Sequence, residues 1–82
     1  MYTYIVEGGK LEIHTPWLKD NAKVKKQVVQ HAKRTFTQFD YPNGWHVEVE
    51  QTAGRFVILS NCELVQNPDG SYEAPERLNP YG

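Results

Sequence analysis

The sequence predicts an α+β domain in which a single helix packs across an antiparallel sheet, in the order β-β-α-β-β-β. Three observations carry this expectation. Alternating apolar and polar runs lie at Tyr2 to Val6 and Trp45 to Gln51, apolar residues recur at helical spacing from Leu18 to Phe39, and turn signals containing Gly or Pro separate the segments. With 82 residues the chain is expected to form one domain, 1–82, because so short a chain cannot divide into two separately stable cores. A chain of this size buries roughly 60 to 65% of its unfolded surface, which argues against a deep substrate cleft.

Tyr2 to Val6 and Lys10 to His14 flank Gly8-Gly9, a dipeptide suited to a tight hairpin. A two-residue loop there sets Glu7 against Lys10, Val6 against Leu11 and Tyr4 against Ile13. Tyr4, Val6, Leu11 and Ile13 are then inward, and Thr3, Ile5, Glu12 and His14 outward. Thr15-Pro16 reads as an N-cap and first helical residue, with Asp20 or Asn21 as caps for a later start. Leu18, Ala22, Val28, Val29, Ala32, Phe36 and Phe39 then form one stripe on a helix that ends near Asp40, where Tyr41-Pro42-Asn43-Gly44 stops it.

Trp45, Val47 and Val49 alternate with His46, Glu48 and Glu50, the clearest strand pattern in the chain. Thr52-Ala53-Gly54 reads as a three-residue hairpin loop that turns Phe56 and Ile58 outward. A two-residue loop instead turns Val57 and Leu59 outward, so either register puts two large apolar side chains on the sheet's second face. Asn67-Pro68-Asp69-Gly70 has the proline and glycine of a type I turn and marks a third hairpin between Glu63 to Gln66 and Ser71 to Ala74. Residues 75–82 read as an extended C-terminal tail with Leu78 and Tyr81 as anchors.

The net charge of −1 conceals an asymmetry. From Trp17 to Phe39 there are six bases against Asp20 alone, leaving +5, whereas the rest of the chain has nine acids against three bases, leaving −6. On the predicted fold this is a basic helix on an acidic sheet. Lys19, Lys23, Lys26, Lys33 and Arg34 are the candidate nucleic-acid contacts, set against the plainer reading of a solvated helix face. Glu12, Glu48 and Glu50 are the candidate partner-binding residues, expected to share a sheet face with Ile5 and one of the two apolar pairs. Carboxylates rimming apolar side chains describe an interface, and the competing reading is that the third hairpin or the tail covers that face.

Catalytic and metal chemistry find little support. His14, His46, Glu12 and Glu48 could approach one another, but without H-E-x-x-H or C-x-x-C spacing no metal site is expected. Glu48 and Glu50 lie on an open strand face, where neither pKa is raised as a glycosidase pair requires. Cys62 has no activating partner in the sequence and reads as a small buried hydrophobe. Phosphate-loop, nucleophile-elbow and dinucleotide motifs are absent, so the chain is expected not to be an enzyme and to need no cofactor.

The longest apolar run, Phe56 to Leu59, is far too short to cross a bilayer, and no signal-like stretch follows Met1. With a lone cysteine, these features lead to the expectation of a soluble cytoplasmic protein that does not engage membranes. In size, acidic-sheet-plus-helix layout and lack of catalytic motifs, the chain resembles small phage-encoded anti-defence proteins of the anti-CRISPR type. No diagnostic motif carries that resemblance, so it transfers no residue roles. It implies a phage protein in the host cytoplasm that binds a host defence nucleoprotein complex and blocks its nucleic-acid or effector site. The residues themselves point to an interaction module for a partner with a basic surface. Direct nucleic-acid binding and a structural homodimer are the alternatives.

Overall fold

A computed structural model describes residues 1–8 and 10–77. It contains eight strands: β1 (Tyr2–Glu7), β2 (Ile13–His14), β3 (Lys25–His31), β4 (Arg34–Asp40), β5 (His46–Thr52), β6 (Arg55–Ser60), β7 (Val65–Gln66) and β8 (Tyr72–Glu73). The larger sheet is antiparallel throughout, in the order β1-β6-β5-β4-β3: four consecutive strands form a meander, and β1 pairs with the last of them. A smaller sheet has the order β2-β8-β7, with β2 parallel to β8.

The predicted helix is absent, which replaces the α+β expectation and its β-β-α-β-β-β order with a nearly all-β fold. Among the described residues only Asn21–Lys23 turns helically, as a single 3-10 turn capped by Asp20, whose Oδ1 accepts from the Ala22 amide at 3.0 Å. The cap signal therefore marked a real helical start that does not propagate. Downstream, Val28, Val29, Thr35, Phe36, Thr37 and Phe39 are β-branched or aromatic and favour a pleated surface. Residues 25–40 instead form the β3–β4 hairpin, with Val29 opposite Phe36 and Lys26 opposite Phe39. Phe36 and Phe39, three apart, share a face in a helix but take opposite faces of a strand.

The first hairpin is also corrected. β1 pairs with β6 over six residues, Tyr2 opposite Ser60 through Glu7 opposite Arg55, in place of Lys10 to His14. That longer ladder lets Tyr4 and Val6 share a face with Ile58 and Phe56, and Ile13–His14 pairs with β8. The predicted inside–outside assignment nevertheless holds: Tyr4, Val6, Leu11 and Ile13 pack on the core, while Thr3, Ile5, Glu12 and His14 are exposed. Gly9 lies outside the described residues.

β5 and β6 join through the two-residue loop Ala53-Gly54, with Thr52 opposite Arg55. This is the second of the two registers considered, and it places Val57 and Leu59 on the outer face and Ile58 on the inner one. The third hairpin forms where expected, between β7 and β8. Its turn has a twin. In Tyr41-Pro42-Asn43-Gly44 the Gly44 amide donates to Tyr41 O at 3.0 Å and Tyr41 N to Trp45 O at 2.9 Å; in Asn67-Pro68-Asp69-Gly70 the equivalent bonds are 2.9 and 2.8 Å. Gly44 and Gly70 adopt φ of 93° and 91°, the left-handed position that closes a type I turn into a three-residue hairpin loop. Tyr41 to Gly44 thus turns β4 into β5 rather than ending a helix.

The core lies between the inner face of the larger sheet and the smaller sheet. Val47, Ile58 and Trp45 pack against Cys62, Leu64, Tyr72 and Ala74, with Trp17 and Tyr41 alongside. Buried polar atoms are matched: Trp45 Nε1 donates to Ser60 Oγ at 2.9 Å, Ser60 Oγ to Cys62 O at 2.6 Å, Leu64 N to Tyr4 Oη at 2.9 Å and Trp17 Nε1 to Ala74 O at 2.8 Å. The tail begins by docking on the β4–β5 turn, where Asn43 Nδ2 donates to Glu76 O at 2.8 Å. Leu78 and Tyr81 lie outside the described residues.

Candidate functional site

The outer face of the larger sheet carries Glu48 and Glu50, set on β5 beside the even-numbered residues of β4. Register puts Gln38 opposite Glu48 and Asp40 opposite His46, while His31 and Arg34, at the end of the β3–β4 hairpin, reach across from that side. Arg34 grips Glu50 through both arms, Nε to Oε2 at 2.9 Å and Nη2 to Oε1 at 2.6 Å. His31 Nε2 lies 2.6 Å from Glu48 Oε1 and His46 Nε2 3.3 Å from Glu48 Oε2, while His46 Nδ1 lies 2.7 Å from Asp40 Oδ1. Both ring nitrogens of His46 thus face a carboxylate, an arrangement only the imidazolium satisfies as donor on both sides.

The ionisation follows from these bonds. The Asp40 hydrogen bond raises the His46 pKa above its ordinary value, with Glu48 adding to it against the opposing effect of burial. Burial pushes Glu48 up most strongly as a single influence, but His31 and His46 together outweigh it and leave the carboxyl below its ordinary value. Arg34 holds Glu50 down, chiefly by hydrogen bonding, and His46 does the same for Asp40. Beneath this network Phe36 is only 2% exposed, with the His31 ring 5.2 Å and the Arg34 guanidinium 5.1 Å from its centroid.

The predicted partner acids are therefore not one surface. Glu48 and Glu50 are 7% and 8% exposed and occupied by bases of the same chain. Glu12 is not a strand residue of the larger sheet but is exposed just before β2, with Lys10 at 3.1 Å and His14 at 3.6 Å. The apolar part of the outer face is displaced toward β1 and β6, where Ile5 is 55% exposed and Val57 and Leu59 are half-buried. The third hairpin packs on the opposite, inner face.

The nucleic-acid candidates are dispersed as well. Lys19 precedes the 3-10 turn and Lys23 ends it, Lys26 lies on the inner face with its Nζ 5.9 Å from the Phe39 ring centre, Lys33 sits in the hairpin loop, and Arg34 is committed to Glu50. The His14–Glu12 and His46–Glu48 pairs lie on different sheets. Among the described residues no three or more His, Cys, Asp or Glu side chains are disposed to hold a metal ion. Cys62 is buried, and burial pushes its thiol pKa up.

Two features beside one another were not anticipated. A groove of about 530 Å³ opens on the inner face where the smaller sheet leaves β3 and β4 uncovered, with Leu11, Ile13, Phe39, Tyr41, Val49 and Phe56 among its walls. Lys26 brings β3 to its rim; this strand is seven residues long and an edge of the sheet, only Val29 in it is even half-buried, and Val28 is 66% exposed. The bond from Tyr41 N to Trp45 O sets the phase of the hydrogen-bond ladder. Counting outward through the registers, Lys25, Gln27, Val29 and His31 bond to β4, so the amides and carbonyls of Lys26, Val28 and Gln30 point away from the sheet. The run Lys25-Lys26-Gln27-Val28-Val29-Gln30-His31 has no apolar–polar alternation to signal a strand; its adjoining β-branched Val28 and Val29 are the one local cue. No protein-family model, curated protein or solved structure matches the chain.

Proposed function

We propose that the chain is a small non-enzymatic protein-interaction module that receives its partner along β3 and the adjoining inner-face groove. The observation that carries this reading is the juxtaposition of an unpartnered seven-residue edge strand with a groove of mixed polar and apolar lining, to which β3 contributes Lys26. An open strand edge offers main-chain hydrogen bonds for affinity, and side-chain pockets beside it offer selectivity. The partner surface therefore moves from Glu12, Glu48 and Glu50 to the opposite face, since Glu48 and Glu50 already have their counter-charges. Inhibition of a host defence complex is the narrower form of this reading. It rests on size, because the helix in the layout that suggested it is absent.

Lys19, Lys23, Lys25, Lys26 and Lys33 hold no ion pair among the described residues, which favours nucleic-acid binding as the second reading. Capture from a lysate of the native host separates the two, using the wild-type chain and a Val28→Pro variant with nuclease-treated and untreated samples. A specific protein retained by wild type after nuclease and lost by the variant supports the module. Nucleic acid recovered without a specific protein, and released by salt, replaces it with the second reading. A chain that elutes only as a dimer, with no host component, makes it a structural homodimer.

A further inference from the structure

We propose that the occupant of the β3 edge is an extended acidic peptide segment, which adds to the larger sheet as a sixth strand. This deepens the interaction-module reading and rests on it. Natural sheets commonly blunt an exposed edge by shortness, proline, a bulge or a central charge. β3 has neither proline nor bulge, pairing with β4 residue for residue from Lys25 to His31, and its lysines are confined to its first two positions, so that Gln27-Val28-Val29-Gln30 is left uncharged. Three amides and three carbonyls, those of Lys26, Val28 and Gln30, face outward with no backbone partner among the described residues. Their side chains lie on the inner face, so a strand added here points alternate residues toward the groove that Lys26 helps to line.

Charge selects among possible occupants. β3 carries Lys25 and Lys26 and no acid, and Lys23 and Lys33 flank it. A second copy pairing antiparallel about Val28 would place Lys25 opposite His31 and double the positive charge of the strip. Nucleic acid could meet the lysines but would not complete the alternating donor and acceptor row or cover Val28. An acidic strand satisfies all three features.

The probe is a fluorescent, end-capped peptide of sequence ETVVTEE, which in antiparallel register sets glutamates against Lys25, Lys26 and His31 and a valine against Val28. Its affinity is measured by anisotropy at 50 and 300 mM salt against three controls: the same peptide N-methylated at the amides that would face β3, a KTVVTKK peptide, and the Val28→Pro protein. Proline at Val28 removes an outward N–H while leaving the β3–β4 bonds in place. Saturable binding, weakened at least tenfold by N-methylation and by Val28→Pro and severalfold by charge reversal or salt, supports the proposal. N-methylation leaves the protein untouched, so that arm stands even if Val28→Pro misfolds. Equal binding of the methylated peptide, no binding of ETVVTEE, or self-association through β3 overturns it. If host capture depends on Val28 while ETVVTEE fails to bind, the acidic-strand proposal falls and the interaction module stands. If neither depends on Val28, both fall.

Discussion

Ala32 gives opposite signs for the two architectures that residues 18–40 could adopt. In the hairpin its φ is 59°, the sole positive value at a non-glycine residue among the described residues. An L side chain there is strained by about 1–2 kcal/mol. Replacing it with glycine relieves that strain but gives back roughly 0.5–1 kcal/mol through the larger entropy of the unfolded chain. The net expectation is a gain of about 0–1.5 kcal/mol, centred near 0.75, which for a domain of this size raises Tm by about 3–6 °C at the centre of that range. In the middle of a helix the same substitution costs about 1 kcal/mol. Thermal unfolding followed by circular dichroism, with urea titration to confirm an unchanged m-value, reads the sign directly. Ala32→Asn should also stabilise, since asparagine tolerates this region. A clearly lower Tm for Ala32→Gly would refute the positive φ at Ala32 in the β3–β4 turn.

Phe36→Ala should cost about 3–5 kcal/mol, the value of a fully buried ring, as measured by urea unfolding; a loss under 1 kcal/mol would show that His31 and Arg34 do not cover it. Ser60→Ala strips the Trp45 indole of its acceptor in the core and should cost about 1–3 kcal/mol, with the Trp fluorescence of the folded state shifted. Gly70→Ala should cost about 1–2 kcal/mol from φ alone, because a Cβ there meets no atom within 4 Å; a neutral result would contradict the turn geometry. Stability should peak between about pH 4.5 and 6.5. The raised His46 contributes fully below its ordinary value and loses that contribution as pH rises through its folded value. The lowered Glu48, Glu50 and Asp40 contribute above their ordinary values and lose it as pH falls. Urea midpoints from pH 3 to 8 trace the curve, and His46→Asn should flatten its upper limb.

Legibility in the sequence followed the strength of local chemistry. The strand from His46 to Thr52 was readable because apolar and charged residues alternate strictly along it, although the structure buries both faces, and Asn67-Pro68-Asp69-Gly70 because proline and glycine occupy the positions a type I loop requires. The same pattern at Tyr41 to Gly44 was equally plain, but helix termination uses the same residues, and the stripe before it decided the reading. That stripe was coincidental: Val29 and Phe36 belong to the outer face, Val28 and Phe39 to the inner. The turn joining them is carried by Ala32 and Lys33, which bear no Gly, Asn or Asp signal, so tertiary pairing imposes a backbone that local preference would not choose. The acidic face was misread for the same reason. Glu48 and Glu50 were correctly assigned to one strand face, but only the hairpin brings His31 and Arg34 over them.

The hairpin also explains how the outer face persists without the covering layer that a helix would have supplied. Removing a helix from an α+β sandwich exposes the strand face it would protect, and a buried phenyl ring such as Phe36 needs some other lid. Here His31 and Arg34 supply it, the imidazole meeting the ring edge to face and the guanidinium lying over it, while the polar atoms of each engage a glutamate at the rim. The charge asymmetry of the sequence is thus divided into two parts. Arg34 and the histidines draw Glu48, Glu50 and Asp40 into the structure. The lysines at 19, 23, 25, 26 and 33 keep no ion pair among the described residues, and in the proposed reading those at 25 and 26 meet the added strand. Double-mutant cycles at Arg34 and Glu50 test the division, since a purely structural pair couples in unfolding free energy without coupling in peptide affinity. Coupling of the two residues in ETVVTEE binding, with none in stability, would place the pair in the binding surface and reverse the assignment.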